Sequence, residues 1–208
     1  MNAHHAIPEP STAMPGAAGG GVRARRTGAR FHLRDVTRGE HDATEAAFAP
    51  FDLSKPAAYR AFLQAHASAL AALEAPMEGR GWQNHASRRT LLEADLADLG
   101  DAACPSAMEQ PALSGDAHVW GAQYVLEGSR LGGQILARQV AKGNPTRYLS
   151  GNAEAGTDDM RPWQEFCAAL EDEARRHGPQ WLADVEDGAR ATFRLFREAA
   201  NTFAGPTT

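Results

Sequence analysis

Apolar residues recur every three or four positions from about residue 30 to about residue 203, and no strand-length stretch alternates between apolar and polar. That period gathers them on one face of each of several helices. The segment 31–48, FHLRDVTRGEHDATEAAF, reads as a first helix that stops before Pro50. Ser54 reads as the cap of a second, with Pro56 in its first turn and a stripe of Tyr59, Phe62, Leu63, His66, Leu70 and Leu73. A third spans 87–99 through Leu91, Leu92, Leu96 and Leu99, and Gly100 ends it. A fourth runs from Ala117 to about Ala141, and 143–159 then reads as a long loop. Pro162 opens a helix through Trp163, Phe166 and Leu170, which His177-Gly178-Pro179 stops. The last runs from Gln180 to Phe203 with Trp181, Leu182, Val185, Phe193 and Phe196 inside it. The predicted fold is all-α, a single compact multi-helical domain over 30–204. Residues 1–29, rich in Pro, Gly and Ala and without an apolar period, read as a flexible leader.

The fourth helix contains an anomaly. YVLEGSRLGG, 124–133, places Gly128, Gly132 and Gly133 on consecutive turns. Each costs about 0.5–1 kcal/mol relative to alanine in a helix interior. Two explanations are open: a neighbouring helix packs very closely there, or the backbone bends and approaches a flat ligand.

Composition narrows the partners. The chain has 208 residues and a net charge of −5, and no basic block stands in its body, which argues against nucleic acid. Arg23, Arg25, Arg26 and Arg30 form a local basic stretch near the start. No apolar run has the length of a membrane span, and the leader lacks the apolar centre of a signal peptide. The composition of the leader favours disorder over a transit peptide, and a cytoplasmic location is expected. Of the two cysteines, Cys104 and Cys167 form no metal-binding cluster. A disulfide and a pair of reduced thiols both remain open, with the cytoplasmic expectation favouring thiols. Cys167, beside Phe166 and near Leu170, reads as core packing.

Chemistry concentrates on the first helix. If that helix is continuous, Arg34, Arg38, His41 and Glu45 share one face at offsets of four, three and four. Imidazole is a common ligand to metals, including heme iron, and two arginines within two turns of it suit anionic carboxylates beside a bound metal centre. The competing reading starts the helix at Thr37, because Thr37-Arg38-Gly39-Glu40 has the form of a capping box. Arg34 would then lie in a loop and His41 on an ordinary surface. Among the other histidines, His66 lies on an apolar stripe and reads as a core residue. His85 and His177 lie near helix ends or loops. His118, which precedes the aromatic start of the glycine helix, is the rival ligand, with a surface or capping role preferred.

LRDVTRGEH, 33–41, resembles the proximal-helix signature of heme oxygenases, Leu-x-x-x-Thr-x-x-x-His, with Leu33, Thr37 and His41 in register. Glu45 matches a further residue of that pattern. GSRLGG, 128–133, resembles the distal-helix signature Gly-x-x-x-Gly-Gly. The wording YVLEGSRLGG is similar to the bacterial branch associated with bacteriophytochromes. The resemblance implies that heme is both substrate and prosthetic group, with His41 as the axial iron ligand. Arg34 and Arg38 would contact the propionates, and Glu45, Gly128, Gly132 and Gly133 would complete the heme pocket. O2 would bind under the glycine helix. An external reductant, a ferredoxin- or reductase-type electron-donor protein, would supply electrons. Biliverdin, iron and CO would be the products, and the biliverdin would serve a bacteriophytochrome.

One position departs from the pattern. Well-known members carry an aspartate after the first distal glycine, where it holds a water network that supplies protons; here the residue is Ser129. A hydroxyl holds water but brings no carboxylate charge. The expected catalytic set is therefore Ser129 with Gly128 and Gly132, with ordered water or Arg130 reaching back as further donors. Arg161, Arg175 and Arg176 are candidates for further propionate contacts. Two alternatives stay open: a heme-binding or heme-sensing protein of the same fold without turnover, and a helical bundle with unrelated small-molecule chemistry.

Overall fold

A computed structural model describes residues 27–101, 105–151 and 160–204. Among the described residues there are seven helices and no strand. They are α1 (Ala29–Phe48), α2 (Pro56–Met77), α3 (Arg89–Asp98), α4 (Asp116–Ala137), α5 (Arg147–Ser150), α6 (Arg161–His177) and α7 (Pro179–Phe203). The arginines at 23, 25 and 26 and Cys104 lie outside the described residues.

The first helix is continuous, so the capping-box start at Thr37 is not used. Thr37 is buried in mid-helix and its Oγ1 donates to Leu33 O at 2.7 Å. The hydroxyl has a helical carbonyl within reach and needs no cap position. Ser54 is not the cap of α2 either. Its N–H and Oγ both turn back to Asp52 Oδ1, at 3.0 and 2.6 Å, while Lys55 occupies the cap position. The fourth helix stops at Ala137, four residues before the expected end. The expected loop at 143–159 contains the short helix α5, and its residues 152–159 lie outside the described set. Tyr148 and Leu149 on α5 are buried, which makes this segment part of the core. Gly178, at φ +81°, lets the chain reverse between α6 and α7 in a conformation that favours glycine.

Two apolar clusters form the interior. One joins α2, α3 and α5 to the α7 residues Leu195, Phe196 and Ala199, with Leu126 of α4. The other joins Leu33 of α1, Trp120, Tyr124 and Val125 of α4, Phe166 and Leu170 of α6, and Val185 and Phe193 of α7. Helices α4 and α7 belong to both and cross at the centre of the molecule. Two glycines set that crossing. A Cβ on Gly121 would stand against Val185 O and 2.5 Å from Ala189 N. A Cβ on Gly188 would overlap His118 O. Backbones approach so closely here that no other residue fits, the kind of packing small residues permit.

Cys167 has a free, buried thiol, and burial pushes its pKa up to about 11. It packs beside Phe166, as expected from its neighbours.

Candidate functional site

The inward face of α1 is pinned to α6 and α7. Arg30 N–H donates to Glu171 Oε1 at 3.1 Å, Thr44 Oγ1 donates to Phe193 O at 3.2 Å, and Arg197 Nη1 donates to Glu40 Oε2 at 2.7 Å. These contacts fix the rotation of the helix. The neighbouring face then carries Arg34, Arg38, His41 and Glu45, because the helix is unbroken from Ala29.

His41 is half-exposed. Its ring meets Phe193 edge-on, with centroids 5.9 Å apart. Its Nδ1 lies 3.5 Å from Asp42 Oδ1 and 3.8 Å from Glu45 Oε2. Burial raises the Glu45 carboxyl above its ordinary value, the neighbouring His41 pulls it down, and Asp42 adds to the rise. The ligand atoms of His41, Asp42 and Glu45 lie within 4.8 Å of one another. Arg34 is engaged with Asp35, at 3.2 Å, and lies over the Phe31 ring. Arg38 is exposed, and among the described residues no carboxylate pairs with it.

The three glycines of α4 differ in their surroundings. Gly133 is a packing glycine: an added Cβ would stand 2.6 Å from Leu149 O on α5. Among the described residues, an added Cβ at Gly128 would meet only the Trp163 ring at 3.7 Å, an ordinary contact. The packing of the described residues therefore does not demand a glycine at 128. Gly132 is buried beside Gly133.

Ser129 Oγ donates to Leu126 O at 2.7 Å and accepts from Arg88 Nη2 at 3.3 Å. Arg130 does not reach back toward it. Its Nη2 donates to Ala86 O at 2.7 Å, and its Nε lies 2.8 Å from Glu127 Oε2. Glu127 is a stronger draw because it is a carboxylate with only 1 % exposure. Arg175 and Arg176 pair with Asp172 and Glu173 on the exposed last turn of α6, while Arg161 stands in its first turn.

His66 is a core residue, as its stripe implied. It lies among Phe48, Phe62, Tyr148 and Phe196, and its Nδ1 is 2.9 Å from Phe62 O. Burial pulls its pKa down to about 4. His118 makes no cap. Its ring is partly buried, and its Nδ1 has no hydrogen-bond partner among the described residues.

Sequence reasoning placed His85 near a helix end or loop and passed over Arg88 and Glu127. Glu127 carried the one available signal, a charged residue amid the apolar run YVLE. One turn earlier, Gln123 is also buried and takes the Trp82 N–H on its Oε1 at 2.6 Å, so α4 holds the α2–α3 connection against itself.

No protein-family model matches the chain. Its fold is that of a heme oxygenase: the crystal structures of the NO- and CO-bound enzyme from Neisseria meningitidis superpose with a TM-score of 0.67 at 22 % identity, over 88 % of this chain and 95 % of that one. A heme oxygenase of Xanthomonas campestris pv. campestris is 36 % identical over 132 residues, 62 % of this chain and 75 % of that protein. The chain belongs to the heme oxygenase family.

Proposed function

We propose that the chain degrades heme, with His41 as the iron ligand, the Arg34–Arg38 edge facing the propionates and the Gly128–Gly132 turn facing dioxygen. Gly128 is the observation that carries this reading. It occupies a helix interior at a cost of about 1 kcal/mol, and the packing of the described residues would accept a methyl there. The requirement for a bare backbone is then external, as in a surface that a flat molecule approaches. Gly132 extends the same turn, whereas Gly133 serves the contact with α5.

The donor set fits heme. An imidazole with a carboxylate near Nδ1 keeps Nε2 available to iron, and Glu45 at 3.8 Å, with Asp42, provides that negative charge. Arg38, without an acidic partner among the described residues, suits a propionate carboxylate. Bound heme would supply the iron at which dioxygen is activated and the ring that is opened. The residues of the chain orient it, keep one face dry through Trp163 and Phe193, and leave the Ser129 hydroxyl to hold water at the turn. Electrons come from an external donor protein of ferredoxin or reductase type, docked on the basic edge around Arg34 and Arg38. Biliverdin, iron and CO are the products, with a phytochrome as the consumer of biliverdin.

The test is spectroscopic: hemin is added to the purified protein, then a reductant in air. A Soret band that forms and then gives way to a red-absorbing bile pigment is the expected result. A Soret band that forms and persists would assign the chain to heme carriage or sensing, with Ser129 in place of a carboxylate as the reason. Absence of a Soret band would overturn the proposal.

A further inference from the structure

A cleft of 540 Å³ lies between the end of α2, the connection to α3, and α4, walled by Leu73, Met77, His85, Arg88, Leu126 and Arg130 among others. Two arms of polar groups reach it through His85, Arg88 and Arg130, with Glu127 and Ser129 behind that wall. In one, Glu127 Oε1 and His85 Nδ1 stand 2.6 Å apart, with Arg130 closing the other side of the carboxylate at 2.8 Å. In the other, Arg88 donates through Nη1 to Tyr148 O at 3.0 Å and through Nη2 to the Ser129 hydroxyl. Burial pulls the Arg88 guanidinium below its ordinary value; Arg130 adds to the fall, and Tyr148 and Glu127 partly offset it.

The His85–Glu127 arm has the form of an acid–base pair. A carboxylate only accepts, so His85 carries its proton on Nδ1, and Nε2 becomes the atom that takes up and releases a second one. That Nε2 is buried and has no partner among the described residues. An orphaned buried nitrogen costs about 1–3 kcal/mol unless water or a ligand satisfies it. An apolar residue packed at the same place would avoid the cost, so the loop contact alone does not explain an imidazole. The cleft carries His85, Ser87, Arg88 and Arg130 in a largely apolar wall and is large enough to hold water.

We propose that the His85–Glu127 pair is a proton relay to the Ser129 turn, working through cleft water and standing in for the carboxylate that Ser129 does not provide. The inference rests on the heme oxygenase reading above. In the step, the Nε2–H bond breaks and its electron pair stays on nitrogen. The proton passes through water held between His85, Arg88 and Ser129, and solvent returns a proton to Nε2. No electrons move in the relay; those of the reaction come from the external donor. Glu127, Arg88 and Arg130 are the charged groups of the two arms. Tyr148 of α5, Glu74 of α2 and Glu78 just after it complete the titratable wall of the cleft.

The experiment compares the full chain with His85→Gln and Glu127→Gln. Both variants should form the wild-type Soret band with unchanged heme affinity. Turnover should fall about 10²-fold and lose its dependence on pH between about 6 and 8. Nitrogen-15 NMR of the heme-free wild type should show His85 as the Nδ1–H tautomer when neutral, a preference that Glu127→Gln should remove. Variants that bind heme and turn over like wild type overturn the relay and leave the heme reading standing. Slowed variants with the wild-type pH profile also overturn it, because that pattern belongs to a structural role. A wild type without a Soret band removes both readings. If neither variant folds, the wild-type spectrum decides: an Nε2–H tautomer that does not titrate overturns the relay, and a titrating Nδ1–H tautomer supports it.

Discussion

The crossing of α4 and α7 and the open face of α1 with the Gly128 turn use the same two residue types for opposite ends. At the crossing, Gly121 is bare because Val185 and Ala189 backbone atoms occupy the place of a side chain. At the turn, Gly128 is bare although the nearest atoms among the described residues leave room for a methyl. In the core beside the crossing, His66 is enclosed by aromatic rings and its pKa falls to about 4. On α1, His41 remains half-open, with acidic neighbours and one aromatic edge. A glycine or a histidine thus has no meaning by type. What it serves is read from whether the protein itself fills the space around it.

The contrast can be broken at its strongest point first. Gly121→Leu should destabilise the protein by about 4 kcal/mol or prevent folding, since the side chain must displace backbone of α7. Denaturant unfolding measures this, and a near-neutral result would mean the helices separate freely at the crossing.

Acid should expose the core histidine. The folded pKa of His66 lies below that of the unfolded chain, so the unfolded state binds the extra proton between about pH 6.5 and 4. Its contribution is fully present above the unfolded value and is lost as pH falls through that window, by about 3 kcal/mol in all. Replacement of His66 by Leu should flatten stability against pH over the same range. An unchanged slope would assign acid sensitivity to other groups.

His41→Ala should leave the unfolding midpoint within about 0.5 kcal/mol of wild type, as expected of a half-open side chain. Heme binding should weaken about 100-fold or more, given that even outer partners of a metal ligand are worth 10–100-fold. An unaltered ferric spectrum in this variant would remove His41 as the ligand.

Gly128→Ala sharpens the comparison with Gly121. Without heme it should stabilise the protein by about 0.5–1 kcal/mol, the helix-propensity gain with no clash to offset it. With heme its affinity should fall. A loss of stability in the heme-free protein would return Gly128 to the class of packing glycines. The smallest effect is expected at Arg38→Gln, a several-fold loss of heme affinity worth about 1 kcal/mol that shrinks with added salt. Salt-independent binding by both proteins would argue against a propionate contact there.

Much of this was legible along the chain because it is local. Helix periodicity, the Pro and Gly boundaries and the spacing of Arg34, Arg38, His41 and Glu45 follow from a 3.6-residue repeat within single helices. The heme oxygenase resemblance rested on two such local motifs. Starts and stops were less legible, because short polar residues have several partners: Thr37 bonds inside its helix and Ser54 bonds to Asp52. The short helix α5 escaped notice because two buried residues, Tyr148 and Leu149, are too few to make a period.

What only the tertiary structure decided is which surface each position meets. Gly121 and Gly188 become partners through a crossing, and nothing within either helix announces it. Gly128 and Gly133 are indistinguishable in the motif, yet one meets the Leu149 backbone and the other has room for a methyl beside Trp163. His85 and Glu127, 42 residues apart, form a pair because Gln123 and Glu127 draw the α2–α3 connection onto α4. The elements of this protein are set by the order of apolar and polar residues over a few turns. Its packing glycines, its buried acid–base pair and its open imidazole are set by contacts between distant segments, which a pattern along one helix does not contain.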